Sequence, residues 1–323
     1  MNEKLKYFYH NSKVGFYLLS IPKKIRDFII LTRNNRLTDE EHIQMNYKRF
    51  FGKKADLVNP KLFTEKIQWL KLNDRNDLHT QCADKYLVRN YIEEKIGSKY
   101  LIPLVFMTED ENYINQDKLP NYPVIIKTTH DSGGTFIIKD KNNFDFKELQ
   151  KELATRMKRN FYYLNREWEY KNIKPRIIVE KVLKDDSGNE QLNDYKIYCF
   201  HGKPMFMQTI FDRGIETKED WYDTDWNLLD VHYFSPNKKN LDKPELLSEL
   251  LRISKMLSKD FPYVRVDLYI SNNQIYFGEL TFRPYGGYMK FVPESFDLEL
   301  GNYLSLEAIK KSKSESFGRL KNK

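Results

Sequence analysis

The chain has 323 residues, 40% of them apolar, which is enough to bury the core of one large domain or two moderate ones. Its formal charge of +8 suits an anionic partner (a nucleotide, an acidic polymer, a membrane surface or nucleic acid) without choosing among them. Two lone cysteines, Cys82 and Cys199, fit a reducing cytoplasm better than a disulfide framework, as does the lack of a signal-peptide pattern at Met1–Tyr7; six scattered histidines show no zinc-ligand spacing.

No apolar run approaches the ~20 residues that a membrane span needs. Residues 1–31 form a basic, aromatic, amphipathic segment that either packs on the main body, the favoured reading, or lies on an anionic membrane face. Residues 1–80 read as helical: Thr38-Asp39-Glu40-Glu41 is a helix start, and Phe63, Ile67 and Leu70 share one helix face. Residues 84–96 read as an amphipathic helix stopped by Gly97, followed by a short strand at 101–106.

From Val124 the period changes to that of strands. Val124-Ile125-Ile126-Lys127 and Thr135-Phe136-Ile137-Ile138 flank a loop containing Gly133-Gly134. A helix at 146–159 and a strand at 176–180 follow, then a turn at 185–189. Residues 195–200 and 203–210 pair around His201-Gly202, and a helix at 245–257 leads into strands 263–270 and 274–280 joined by Ser271-Asn272-Asn273. The order predicts an α+β architecture.

The last hairpin sets Asp267 opposite Glu279, with Thr281 on the same face as Glu279. Facing carboxylates repel unless a cation or shared proton lies between them, so they fit either a Mg²⁺ site or exposed acids paired to Lys or Arg. Lys127 ends an otherwise apolar strand, where its charge needs a partner. The loop after it, Thr129 to Thr135, is either a phosphate cradle or an ordinary hairpin turn. Asp194 and Lys196 fit an exposed same-face ion pair.

Five segments in order resemble the ATP-grasp superfamily, in particular its TupA-like branch of teichuronopeptide-biosynthesis ligases: Phe63-Thr64-Glu65-Lys66-Ile67-Gln68-Trp69-Leu70, Asp84-Lys85-Tyr86-Leu87-Val88-Arg89, Lys127 to Gly134, Asp194-Tyr195-Lys196, and Arg265-Val266-Asp267-Leu268-Tyr269 with Gly278-Glu279-Leu280-Thr281-Phe282. The resemblance covers roughly residues 40–305. It implies a helical region at 1–80, an ATP-grasp domain at 81–305 with lobes near 120–180 and 181–305 gripping ATP between antiparallel sheets, and a basic tail at 306–323.

The resemblance also implies residue roles. Lys85 and Lys127 reach the phosphates, with Ser132, Gly133 and Gly134 folding over them. Glu180, Lys181 and Leu183 form the adenine-reading hinge, Asp194 holds the ribose, and Lys196 touches the γ-phosphate. Asp267, Glu279 and Thr281 hold Mg²⁺, Thr281 standing where much of the superfamily has Asn. Arg265 stabilises the transferring phosphoryl group, Gly286-Gly287 closes around the acceptor, and Arg283 and Arg213 are candidate contacts for an acidic substrate.

The implied function is an ADP-forming carboxylate–amine ligase with ATP and Mg²⁺ as cofactors, acting in the cytoplasm, at the inner membrane face if 1–31 docks there. Its carboxylate would be a uronic acid of a surface polysaccharide or an amino-acid polymer. The alternative is a sugar-nucleotide glycosyltransferase, although Asp223-Thr224-Asp225 lies in a Trp-rich loop rather than at a strand end. Basic residues are scattered rather than massed with stacking aromatics, which argues against a nucleic-acid partner.

Overall fold

The computed structural model describes residues 36–184, 192, 194–211, 217–237, 241–307 and 309–310. The segment 1–31, the turn at 185–189, Arg213 and most of the 306–323 tail lie outside them.

Helix α1, Asp39–Phe51, starts as the sequence predicts: the Thr38 hydroxyl accepts from the Glu41 amide at 3.2 Å, and the Glu41 carboxylate accepts from the Thr38 amide at 2.9 Å. Helix α2 spans Phe63–Asn73, and the Glu65 carboxylate ties down its entry by accepting from the amides of Asp56, Lys61 and Leu62. The helix expected at 84–96 is shorter, α4 (Val88–Ile96), and is separated at Asp84 from a short helix before it, α3 (Asp77–Ala83). The break has a local cause. The buried Asp84 carboxylate accepts from the amides of Tyr86 and Leu87 at 2.8 and 3.3 Å, competing with helix bonding.

Strands β1 (Leu104–Thr108), β2 (Val124–Thr128) and β3 (Thr135–Ile138) precede helices α5 (Phe146–Met157) and α6 (Tyr162–Asn165) and strand β4 (Ile177–Lys181). They form a four-stranded antiparallel sheet in the order β1-β4-β2-β3. The strand expected at 101–106 starts later because Pro103 cannot donate to a ladder; its carbonyl instead accepts from the Lys181 amide. Alternate residues Val124, Ile126, Ile177 and Val179 pack under Leu149 and Leu153 of α5. That leaves Lys127, Ile178 and Glu180 on the other face.

The large sheet contains β5 (Asp194–Phe200), β6 (Lys203–Phe211), β7 (Lys218–Asp223), β8 (Leu228–Leu229), β9 (Ser235–Pro236), β10 (Tyr263–Ser271) and β11 (Gln274–Thr281), in the order β11-β10-β5-β6-β7-β8 with β9 beside β7. Helix α7, Leu247–Ser258, precedes β10, and α8, Ser295–Tyr303, follows β11. Both predicted hairpins close through positive-φ pairs, His201-Gly202 (50°, 75°) and Asn272-Asn273 (49°, 52°), the combination that a type I′ turn requires.

The two faces of this sheet differ. Ile197, Cys199, Val264, Val266 and Leu268 pack against α4 and α7. The opposite face is greasy at one end, where Tyr198, Phe200, Phe206 and Trp221 meet Phe63, Ile67 and Leu70 of α2 and Phe296 and Leu300 of α8. At its other end it carries Asp194, Lys196, Arg265 and Asp267, neighbours through the registers Asp267↔Lys196 and Tyr269↔Asp194. Helices α2 and α8 are pinned together by Asp297, which accepts from the Thr64 amide at 2.9 Å and the Thr64 hydroxyl at 2.6 Å. The Lys66 ammonium donates to the carbonyls of Gly301 and Leu304 at 2.7 and 2.8 Å.

Candidate active site

The polar end of the large sheet and the free face of the small sheet enclose a cleft of about 320 Å³. Its lining brings together Lys85, Lys127, Ser132, Gly133, Glu180, Asp194, Lys196, Asp267 and Glu279, drawn from stretches far apart in the chain. Arg265 and Thr281 stand behind the Asp267–Glu279 pair rather than on the lining. Gly134 is buried under the loop, and the side chain of Lys181 is exposed, its ammonium 5.9 Å from the Tyr122 ring. The amides of Lys181 and Val182 are already bonded to the carbonyls of Pro103 and Pro123.

Asp267 and Glu279 are direct partners in the β10–β11 register, as the hairpin predicts. Asp267 is buried, and Arg265 grips it bidentately, Nε to Oδ1 and Nη2 to Oδ2 both at 2.7 Å. Lys196 donates to the same Oδ2 and lies 2.8 Å from Asp194. Burial alone would raise the Asp267 pKa; the Arg265 and Lys196 charges outweigh it and hold the carboxyl below its ordinary range. Burial, reinforced by Arg265, pulls Lys196 below the usual lysine value against the pull of Asp267 and Glu279. The Asp194–Lys196 pair is therefore present, but it is buried in a network rather than exposed on a strand. Glu279 is half exposed; Thr281 donates to its Oε1 at 3.1 Å, and Arg265 approaches it at 3.4 Å.

This donor set fits a hard divalent cation: two facing carboxylates, one half exposed, with a hydroxyl beside them. Among the described residues no three His, Cys, Asp or Glu side chains gather as a metal cage. A cation here would take the rest of its shell from water or substrate oxygens, as Mg²⁺ commonly does.

The glycine loop is less pliant than its composition suggests. Thr128, Thr129, His130 and Asp131 are buried, with the Asp131 carboxylate accepting from the Thr128 hydroxyl and from Arg156 at 2.7 Å. A Cβ on Gly134 would land on Thr128 Oγ1 and 2.7 Å from Asp131 Oδ1, so the close approach needs glycine; Gly133 has φ +76° and open space around it. The tip, Ser132-Gly133, and Thr135 at the loop's far end face the cleft. Lys85 donates to the Asp131 carbonyl, and its amide bonds the Thr129 carbonyl at 3.3 Å, holding the loop's base. Burial lowers the Lys85 pKa, with Asp131 and Glu279 opposing.

Lys127 meets Glu180 at 2.9 Å, and Arg89 takes the other oxygen of Glu180 at 3.0 Å. Sequence reasoning missed Arg89, although it stands four residues after Lys85 in a segment that carries the resemblance. It also missed the apolar lining from Ile102, Ile178, Tyr269 and Phe277, which single-strand alternation does not distinguish from core. One expectation changes. Arg283 is fully buried, bonded to the Phe282 and Asp74 carbonyls at 3.0 and 3.4 Å, so it is no surface contact for an acidic substrate. The Gly286-Gly287 turn is fastened to α2, Gln68 donating to both carbonyls (2.9 and 3.1 Å) and Lys71 to Gly286 (2.7 Å).

Burial pushes both cysteine thiols up to about 12, which leaves neither as a nucleophile. Contrary to the expectation that it lies off any strand, Asp223-Thr224-Asp225 begins at the end of β7, but the Asp223 carboxylate is taken up by its own turn, accepting from Asp225 and Asn227 at 2.8 to 2.9 Å. No helix of the described residues is long and apolar enough to cross a membrane.

A family model described as TupA-like ATP-grasp matches residues 65–305. Among solved structures, the chain is similar to D-alanine–D-alanine ligase from Bacillus anthracis (20% identity, 76% of each chain covered, TM-score 0.45). The same ligase complexed with ATP matches at 19% identity over 73% of this chain and 68% of that one, TM-score 0.43. The ATP-grasp ligase PsnB, complexed with a variant precursor, Mg and ADP, matches at 11% identity over 75% and 66%, TM-score 0.37. No curated protein matches. With three quarters of its length matched by one family and two antiparallel sheets enclosing a charged cleft, the chain belongs to the TupA-like ATP-grasp family and has the ATP-grasp fold.

Proposed function

We propose that the protein is an ADP-forming carboxylate–amine ligase. One observation carries the reading: in a TupA-like ATP-grasp chain, a single cleft collects Lys85, Lys127 and Lys196, the facing acids Asp267 and Glu279, and the Ser132-Gly133 tip. In the first half-reaction a substrate carboxylate oxygen bonds to the γ-phosphorus of ATP as the bond to ADP breaks. In the second the amine nitrogen bonds to the acyl carbon, phosphate leaves, and the amine gives up a proton.

The chain's own residues mainly position and neutralise, which is most of what phosphoryl transfer needs. Lys85 and Lys127 take the α- and β-phosphates under the Ser132-Gly133 tip, and Lys196 takes the γ-phosphate. Glu180 and the backbone of Lys181 and Leu183 read the adenine, with Ile102, Ile178, Tyr269 and Phe277 against its faces, while Asp194 takes the ribose. Arg265, oriented from behind the acids by two bonds to Asp267 that occupy Nε and Nη2, has Nη1 left to meet charge developing on the transferring group. Asp267, Glu279 and Thr281 would hold Mg²⁺, which supplies charge neutralisation and alignment of the phosphates when bound. The absence of a reactive thiol costs nothing, since this chemistry needs no side-chain nucleophile.

The carboxylate is, on this reading, a uronic acid of a surface polysaccharide or an amino-acid polymer, and the setting is cytoplasmic. The test is ADP release measured with ATP and Mg²⁺ against a panel of uronates, acidic amino acids and their polymers, each with and without amines. Release that needs both an acid and an amine is expected. ATP turnover indifferent to every pair would refute the ligase reading.

A further inference from the structure

Glu180 is buried, and each of its oxygens has a different cation: Oε2 the Lys127 ammonium at 2.9 Å, Oε1 the Arg89 guanidinium at 3.0 Å. The two cations come from different bodies. Lys127 is on β2, in the same small sheet as Glu180. Arg89 is on α4, whose Val88, Tyr91 and Ile92 belong to the core under the large sheet. The Arg89–Glu180 bond therefore crosses the cleft between lobes. A second seam lies beside it, where Lys85 holds the Thr129 and Asp131 carbonyls.

We propose that Arg89 is a positioning residue for nucleotide binding: it keeps Glu180 neutralised from the opposite lobe, so that Lys127 is free to leave Glu180 for the phosphates. The inference rests on the reading of Lys127 as a phosphate ligand. A buried carboxylate abandoned by its cations is strongly disfavoured, so with Lys127 as sole partner Glu180 competes with the phosphates for it. Arg89 removes that competition. The division of labour follows from the side chains. A lysine is a point charge on a flexible stem and changes partner readily, whereas a guanidinium is a rigid fork, weakly hydrated and suited to a fixed, desolvated carboxylate. The same bond keeps the small sheet fastened to α4 after Lys127 has turned.

The experiment is isothermal titration of Mg-ADP and a non-hydrolysable Mg-ATP analogue into wild type, Arg89→Met, Glu180→Gln, the double variant and Lys127→Met, with the KM for ATP measured alongside. Glu180→Gln removes the competing charge yet keeps an acceptor oxygen. Arg89→Met is expected to raise the nucleotide Kd about tenfold or more, with the loss falling on KM for ATP rather than on kcat. Adding Glu180→Gln to it should restore most of the affinity, a rescue that a merely structural role would not produce. If Arg89→Met melts below the assay temperature, Arg89→Lys, which keeps the charge and loses the fork, enters the same cycle. Penalties that simply add, or an unchanged Kd in Arg89→Met, overturn the inference while Lys127→Met still weakens binding. If Lys127→Met binds nucleotide normally, the phosphate-ligand reading falls and the inference with it.

Discussion

Asp267 and Glu279 face each other across β10 and β11, yet their surroundings are opposite: the Asp267 side chain is 2% exposed and that of Glu279 is 50% exposed. Asp267 is also the counter-charge for Arg265 and Lys196, while Glu279 is only grazed by Arg265 at 3.4 Å. One carboxylate therefore has a structural duty as well as any metal-binding one.

Substituting the two separates those duties. Asp267→Asn takes from buried Arg265 its bidentate carboxylate and leaves Lys196 with Asp194 alone, and should destabilise the protein by about 3 kcal/mol, besides abolishing ADP release. Glu279→Gln should leave the melting temperature nearly unchanged and shift the Mg²⁺ dependence of ADP release to higher concentration. Thermal melts and Mg²⁺ titrations read both. Equal loss of stability in the two variants would show that the exposure difference carries no weight.

Neighbouring glycines of the cleft loop should respond differently. Gly134→Ala drives a methyl into Thr128 Oγ1 and the Asp131 carboxylate, so the loop base must shift and the KM for ATP should rise by about an order of magnitude. Gly133→Ala meets no atom within 4 Å and carries only the cost of φ +76°, about 1 kcal/mol. Steady-state kinetics at varied ATP compares them.

The pin between α2 and α8 should weaken as pH rises. Burial raises Asp297 from the usual 3.8 to about 6, only partly offset by its bonds to Thr64. The folded protein then binds this proton more tightly than the unfolded chain, so this group's contribution falls as pH rises from about 4 through about 6. Asp297→Asn keeps an acceptor for the Thr64 amide and removes the buried charge. It should flatten that part of the stability profile and be more stable than wild type above pH 6, by ~3 kcal/mol at most. Urea denaturation at pH 4.5 and 7.5 is the measurement.

Much of this architecture was legible residue by residue. Period-2 alternation in 263–270, with two Asn at the turn, located β10 and β11 and the facing acids, because a strand's faces are set by local geometry. Thr38 and Glu41 located α1 for the same local reason. What was not legible depended on other parts of the chain. Asp84 reads as an ordinary helix acid, and only its backbone bonds and the Arg176 contact at 3.0 Å show why the helix starts no earlier than Val88. Arg283 reads as a free cation after a strand, but α2 and its neighbours cover it completely. The pairing of Lys127 and Arg89 on Glu180 joins residues 53 and 91 positions from it in sequence, beyond the reach of any periodicity.

The Thr64–Asp297 bonds join groups 233 positions apart, and Lys66 reaches another 235 and 238 ahead to close the last turn of α8. On the ribosome, α2 thus emerges long before its partner exists, and the aromatic sheet face it shares with Phe296 stays uncovered until translation of this region is nearly complete. Nascent chains ending short of α8 would lack Phe296 and Leu300 over that face and so leave apolar surface open to chaperones.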